Sequence, residues 1–302
     1  MTLTAGTALP MTESHRLFRP PAEAESLILR VADGCPWNRC TFCGMYKGVP
    51  YRLHELAEIE SVLKAAATAD QPPTRVFLAD GDAMVLPTSQ LIRILDLIAH
   101  ILPNVTRVNT YANGRSITAK TDSELRDLRL RKLHTLYLGL ESGSDAVLRH
   151  VKKDDSVTDM ISGAQRAAKT GLRMSVMFLL GLGGRPHRDE HVRGVADAVN
   201  RMQPRLLSSL RVIPVPGTGL YHEWQHGKFN LPSETDIVKE LRDILARLEL
   251  SGTVFRANHT SNVIPLEGRF PKDKAKLVRV LDAALRHDLL DDNGPGNLPA
   301  FL

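Results

Sequence analysis

The chain has 302 residues, 43% of them hydrophobic, with 39 Lys and Arg against 34 Asp and Glu for a formal net charge of +5. This is ample for a sizeable core in one or two domains, and the basic residues are scattered along the chain, as on a solvated surface. No stretch approaches the ~18 consecutive apolar residues of a membrane span and no basic, apolar N-terminal signal is visible, so a cytoplasmic location is expected.

Residues 1–25, rich in Thr, Ala, Pro and Glu, read as a loose leader. From there to about residue 250, short apolar or β-branched runs alternate with longer amphipathic segments. In chain order the spacing predicts strand 26–32, helix 55–69, strand 74–79, helix 88–101, strand 107–111, helix 122–130, strand 135–140 and helix 158–170. Strand 173–181, helix 188–202, strand 207–215 and helix 234–248 follow, then a short extended piece at 253–262, a helix at 273–287 and a terminal loop. Thr121 with Glu124 and Ser156 with Asp159 carry capping-box start signals. There is no internal repeat and no linker that would set off a second domain.

Strand-then-helix units in series imply a parallel sheet, because a right-handed helical crossover returns the chain to the same end. The class is α/β, and a doubly wound sheet and a partial or full barrel both fit. Polar, glycine-rich segments close successive strands: "DGC" (33–35), "ADGDA" (79–83), "YANGR" (111–115), "LESGS" (140–144), "GLGGR" (181–185) and "PVPGTG" (214–219). Each serves as a strand-to-helix turn, but such folds also place their sites on this rim.

The first of these segments opens "DGCPWNRCTFCGMYKG" (33–48), which holds all three cysteines, Cys35, Cys40 and Cys43. An odd number of thiols cannot all pair, which argues against a disulfide framework. Zinc would need a fourth ligand, for which His54 is the nearest downstream histidine, and there is only one CxxC-like pair. A cluster with four thiolates from one chain lacks a cysteine. A [4Fe–4S] cube held by three leaves one iron open to a substrate or cofactor.

A three-cysteine loop after the first strand of a serial β/α pattern, with Phe42 immediately before Cys43, resembles the radical S-adenosylmethionine (SAM) superfamily. The strings "FLADGDA", "GLESGSDAVLRHVKK", "FLLGLGG" and "ANHTSNVIPLEGRFPKDK" resemble a branch of it, although four residues, not the usual three, separate the first two cysteines. The resemblance implies a partial (β/α)6 barrel over 26–220 with a C-terminal helical extension, 221–302, closing it. It implies an enzyme using a [4Fe–4S] cluster and SAM. Reductive cleavage of SAM in that family yields a 5′-deoxyadenosyl radical that abstracts hydrogen from the substrate. The partners implied are a small or medium-sized substrate and an electron donor such as flavodoxin or ferredoxin.

Carried over by position, Cys35, Cys40 and Cys43 are the cluster ligands, and Phe42 lies beside them. Gly81 and Asp82 would meet the SAM amino group, with Asp80 replacing a usual glycine. Glu141 and Ser142 would bond ribose or methionine, whereas capping of the next helix is the alternative for both. Gly181 and Val215 would offer main chain to adenine. Trp37 and Tyr46 belong either to the shell of the cluster or to ordinary packing.

Late in the chain, Arg211 in a strand needs a carboxylate or a ligand, and Asn258 and His259 add donors beside apolar Val254 and Phe255. Together Arg211, Asn258 and His259 are expected to hold an anionic or hydrogen-bonding substrate. Modification of RNA or a peptide is an alternative, against which no basic RNA-binding motif is visible, and a non-catalytic metal-binding protein is a third. "HEWQH" (222–226) has zinc-protease spacing but is flanked by Gly and Pro, so a surface loop is expected; "KKDD" (152–155) reads as a solvated turn.

Overall fold

A computed structural model describes residues 17–287 and 290–299. Residues 1–16 of the expected leader and 300–302 of the terminal loop lie outside the described residues. In chain order the elements are β1 (Leu27–Arg30), β2 (Ala32–Asp33), β3 (Arg52–Leu53), α1 (Leu56–Ala67), β4 (Arg75–Ala79), α2 (Thr88–Ile101), β5 (Arg107–Ala112), α3 (Gly114–Thr118), α4 (Asp122–Leu130) and β6 (Leu133–Glu141). Then come α5 (Asp145–His150), α6 (Val157–Lys169), β7 (Arg173–Leu180), α7 (Arg188–Met202), β8 (Leu206–Arg211), α8 (Gly219–Gln225), α9 (Glu234–Arg247), β9 (Val254–Arg256), β10 (Glu267–Arg269) and α10 (Lys274–Arg286).

One eight-stranded sheet runs β1-β4-β5-β6-β7-β8-β9-β10, parallel throughout except for the last pair, with β1 and β10 as open edges. This is the α/β partial barrel expected from the series of β/α units. The C-terminal extension is not helical alone: β9 and β10 continue the sheet beyond the sixth parallel strand. β2 and β3 pair separately and close the base of the loop that carries the cysteines.

Residues in register on a sheet share a face. Leu29, Leu78, Leu136 and Met174 belong to the face packed under the helices, where α2 sets Leu91, Ile94, Leu95 and Ile98 at helical spacing. Each such side chain contributes about 1.5–3 kcal/mol by burial. The adjacent row, Ile28, Phe77, Asn109 and Thr135, faces the inside of the curve. There Phe77, Tyr111 and Tyr137 meet edge to face, with centroids 4.9 and 5.7 Å from Phe77.

Glu23 closes this inner space from below. It lies on a 3₁₀ turn at Pro21–Glu23, is buried, and accepts from Asn109 Nδ2 (2.8 Å), Ser26 Oγ (2.6 Å) and the Tyr137 hydroxyl. Residues 21–25 are therefore part of the fold, which corrects the expectation of a loose leader reaching residue 25. The sixth parallel strand stops at Arg211, short of the expected 215, because Pro214 and Pro216 cannot donate to a ladder.

Candidate active site

The loop from Gly34 to Tyr51 leaves β2 and returns at β3. Asp33 receives His54 Nε2 at 3.0 Å and Arg52 Nη2 at 3.2 Å across its base. His54 is thus committed to Asp33, not to the cysteines. Cys35, Cys40 and Cys43 are all free and partly exposed. The bend between the last two is pinned on both sides by main chain: Thr41 N–H donates to Val151 at the end of α5 (2.9 Å), and Leu220 N–H in α8 donates to Thr41 (2.8 Å). A Cβ on Gly44 would come within 2.9 Å of the Val215 side chain, so Val215 packs directly behind Cys43. The Val215 carbonyl accepts from Thr218, the N-cap of α8. Phe42 packs on an apolar cluster that includes Leu179, Val212 and Leu220.

β4 touches the loop at Gly81, where a Cβ would sit 2.7 Å from Gly34 O and 2.8 Å from the Cys35 Cα. Asp80, in the family's glycine position, adopts φ 68°, a conformation glycine takes at no cost, and pairs with buried Arg30 (3.6 Å). Asp82 accepts from Met84 N–H (3.0 Å) and from Asn113 Nδ2 (3.1 Å). Burial pushes its carboxyl up to about 6 against these bonds.

Asn113 Oδ1 in turn accepts from Lys153 Nζ (3.4 Å), which also reaches Glu141 Oε1 at 3.4 Å. Asp82, Asn113, Lys153 and Glu141 thereby join the ends of β4, β5 and β6 in one polar row. Glu141 sits at φ 59° where the β6 register shifts, and its carboxylate lies near enough to Cys40 and Cys43 to raise both thiols. Burial pushes its carboxyl above the usual range while Lys153 pulls the other way. Among the described residues its buried Oε2 has no hydrogen-bond partner.

Ser142 faces away from this row. It is fully buried, accepts from Ser144 N–H (3.1 Å) and meets His191 Nδ1 at 2.8 Å. With its hydroxyl proton on that bond, neutral His191 carries its own proton on Nε2, 3.5 Å from Glu240 Oε1. Glu240 Oε1 accepts Gly181 N–H at 2.6 Å, and the Gly181 carbonyl accepts from Gly184. Burial lowers His191 to about 4 and raises Glu240 to about 7. Ser142 and Gly181 are thus spent on a buried link between α7, α9 and the rim.

The expected substrate residues do not converge. Arg211 is in register with Leu180 on the helix-facing side of β8, and its guanidinium donates to the Pro295 carbonyl. Strand alternation turns its side chain away from the inside of the curve, and not to the pocket expected of it with Asn258 and His259. His259 and the Arg211 backbone meet at Ser261, whose N–H donates to His259 Nδ1 (3.1 Å) while its Oγ accepts Arg211 N–H (3.3 Å). Neutral His259 therefore carries its proton on Nε2. Asn258 is exposed. "HEWQH" is not a loop: Gly219–Gln225 is helical, Glu223 pairs with His150 (3.1 Å), and His222 and His226 stack.

The donor set suits an iron–sulfur cluster. Burial pushes Cys40 up to about 12 and Cys43 upward, and Glu141 and the neighbouring thiols raise both further. Thiolates so placed call for a positive centre, and Cys43 already accepts a backbone hydrogen bond from Met45 of the type that tunes cluster potential. Among the described residues no group of three His, Cys, Asp or Glu side chains converges on a single ion position.

A partial barrel whose first loop presents three thiols to a polar rim defines a class of cluster-dependent barrel enzyme. A family model described as the radical SAM superfamily matches residues 29–196, and the chain belongs to that superfamily, whose enzymes use a [4Fe–4S] cluster and SAM. The heme chaperone HemW of Bacillus subtilis (strain 168) is 20% identical over 195 residues, 64% of this chain and 51% of HemW. The chain spans about half the length of the curated relatives it matches. HydG, a maturase of the [FeFe]-hydrogenase, superposes with a TM-score of 0.54 at 17% identity, covering 84% of this chain and 54% of HydG. anSMEcpe with bound AdoMet gives a TM-score of 0.54 at 15% identity, covering 74% and 58%. These likenesses show the fold.

Proposed function

We propose that Cys35, Cys40 and Cys43 hold a [4Fe–4S] cube and that the chain cleaves SAM reductively to act on a small or medium-sized substrate. When bound, the cluster supplies the electron that splits SAM and so begins hydrogen abstraction. Glu141 carries the reading: a buried carboxylate with an unused oxygen, near enough to Cys40 and Cys43 to raise both thiols, is a receptor for an ammonium such as that of a bound amino acid. Lys153 orients Glu141 and offers a cation to the accompanying carboxylate. Asp82, through Asn113, holds Lys153 in line, while Gly81 sets the approach of β4 to the loop. Ser142 and Gly181 act from behind, keeping the turns after β6 and β7 in place.

The division into barrel (26–220) and closing extension (221–302) is kept as part of the proposal. In its support, Pro295 crosses the end of β8, and Leu298 packs on the cluster that Phe42 also joins. His259 and Asn258 stay as substrate contacts in this reading; Arg211 becomes the anchor of the covering tail. Excluding water there and holding the target close is what such reactivity requires of a protein.

Anaerobically reconstituted protein given SAM and dithionite is expected to form 5′-deoxyadenosine, and replacing any one cysteine by Ala is expected to abolish it. Glu141→Gln is expected to weaken SAM binding about tenfold with little change in melting temperature. The similarity to a heme chaperone supports a second reading, a carrier: heme binding without SAM cleavage would favour it.

A further inference from the structure

We propose that the outer face of the cysteine loop is the docking surface for an acidic one-electron donor protein, met by Arg39, Lys47 and Lys152. The inference rests on the reading of the three cysteines as cluster ligands. Residues 34–54 contain Arg39, Lys47 and Arg52 and no acid. Arg39, Lys47 and Lys152 are exposed. Contacts make them one patch. The Arg39 guanidinium lies 5.0 Å from the Trp37 ring centroid, Trp37 Nε1 donates to the Lys152 carbonyl (2.7 Å), and Lys47 Nζ donates to the Asn38 carbonyl (2.8 Å).

The acids that border the patch are already spent. Asp33 is held by Arg52 and His54, and Asp154 by Arg115 at 2.8 Å. Among the described residues none of the three cations forms an ion pair with a carboxylate, so their field extends into solvent. A small patch with an Arg-on-Trp stack and unbalanced positive charge suits a brief encounter with a negatively charged protein, whose arrival it accelerates.

An electron carrier fits better than a nucleic acid because the partly exposed thiols belong to the same loop, leaving only the loop to cross. Single-stranded nucleic acid would call for a basic groove with successive stacking rings, and the contacts that define the patch include one ring, Trp37. In the transfer the donor loses one electron and the cluster gains it, with no bond made or broken between them.

The test uses reconstituted holoenzyme with equal iron content across variants. Cluster reduction is followed anaerobically with a reduced acidic flavodoxin as the probe and dithionite as the control. Raising salt from about 50 mM to about 300 mM is expected to slow reduction by flavodoxin about tenfold. At low salt, Lys47→Glu with Lys152→Glu is expected to slow it about tenfold and the double Gln variant by less, while dithionite reduces all three proteins within about twofold.

Flavodoxin rates indifferent to salt and to both lysines, with normal dithionite reduction, would overturn the docking surface alone. An RNA oligonucleotide that binds wild type and not the double Glu variant, with flavodoxin reduction unchanged, would reassign the patch to nucleic acid and overturn it too. Failure of wild type to take up iron would overturn the proposed function and the donor's role with it.

Discussion

Glu240 is fully buried, with Arg188 and His191 of α7 and Asp236 and Asp243 of its own helix around it. Burial raises its pKa from 4.5 to about 7, so the folded protein binds this proton more tightly than the unfolded chain does. Its contribution to stability is therefore complete below 4.5 and lost as pH rises through about 7, roughly 3 kcal/mol in all. Glu240→Gln can still accept Gly181 N–H and is expected to flatten the fall in stability over that window. Urea unfolding at several pH values checks this; an unchanged slope would remove Glu240 as its source. Neither Glu240 nor His191 was legible in the sequence. Their partners lie 59 and 49 residues away, and one acid among several on α9 and a single histidine on α7 carry no local signal. Glu141 was legible, because it ends a strand on the rim, but its aim depends on a register shift that no spacing reveals.

At the scale of elements, the strand and helix series was legible because each long segment has a clear period and several have caps: the Thr121–Glu124 box forms, and Ser156 caps α6. The short helices α3, α5 and α8 were missed, being too short to show a period, although Asn113, Ser144 and Thr218 cap them. Two of these, α5 and α8, grip Thr41 through main-chain bonds, which leave no trace in side-chain patterns. The junction of β4 with the cysteine loop is also set by backbone. Gly81→Ala would drive a Cβ into Gly34 O and Cys35 Cα at φ 38°, and main chain cannot swing aside as a side chain can. It is expected to retain less than about half the wild-type iron after reconstitution, with the fold kept. Gly48→Ala, at φ 78° with nothing within 4 Å, meets only conformational strain and is expected to keep its iron. Iron analysis of the two variants decides; equal, full loading of Gly81→Ala would show that the loop does not depend on this contact.

For the whole molecule, serial β/α units dictated a parallel sheet, and the family resemblance chose the partial barrel among the open alternatives. What closes it was out of reach. Glu23 enters from a segment without periodicity to bond Asn109 and Tyr137, and β10 is a three-residue strand that pairs with β9, itself within the extended piece expected at 253–262. Arg211 was legible as a cation in a strand, but the side it faces follows from its register with Leu180. The proposed chemistry centres on the loop singled out by its three cysteines. EPR of anaerobically reconstituted, dithionite-reduced protein, with and without SAM, tests most directly whether Cys35, Cys40 and Cys43 hold one cube open to SAM. About four irons per chain and a signal that shifts when SAM is added, both lost in any Cys→Ala variant, are expected. Stoichiometric zinc without iron uptake, or an iron signal indifferent to SAM, would contradict it.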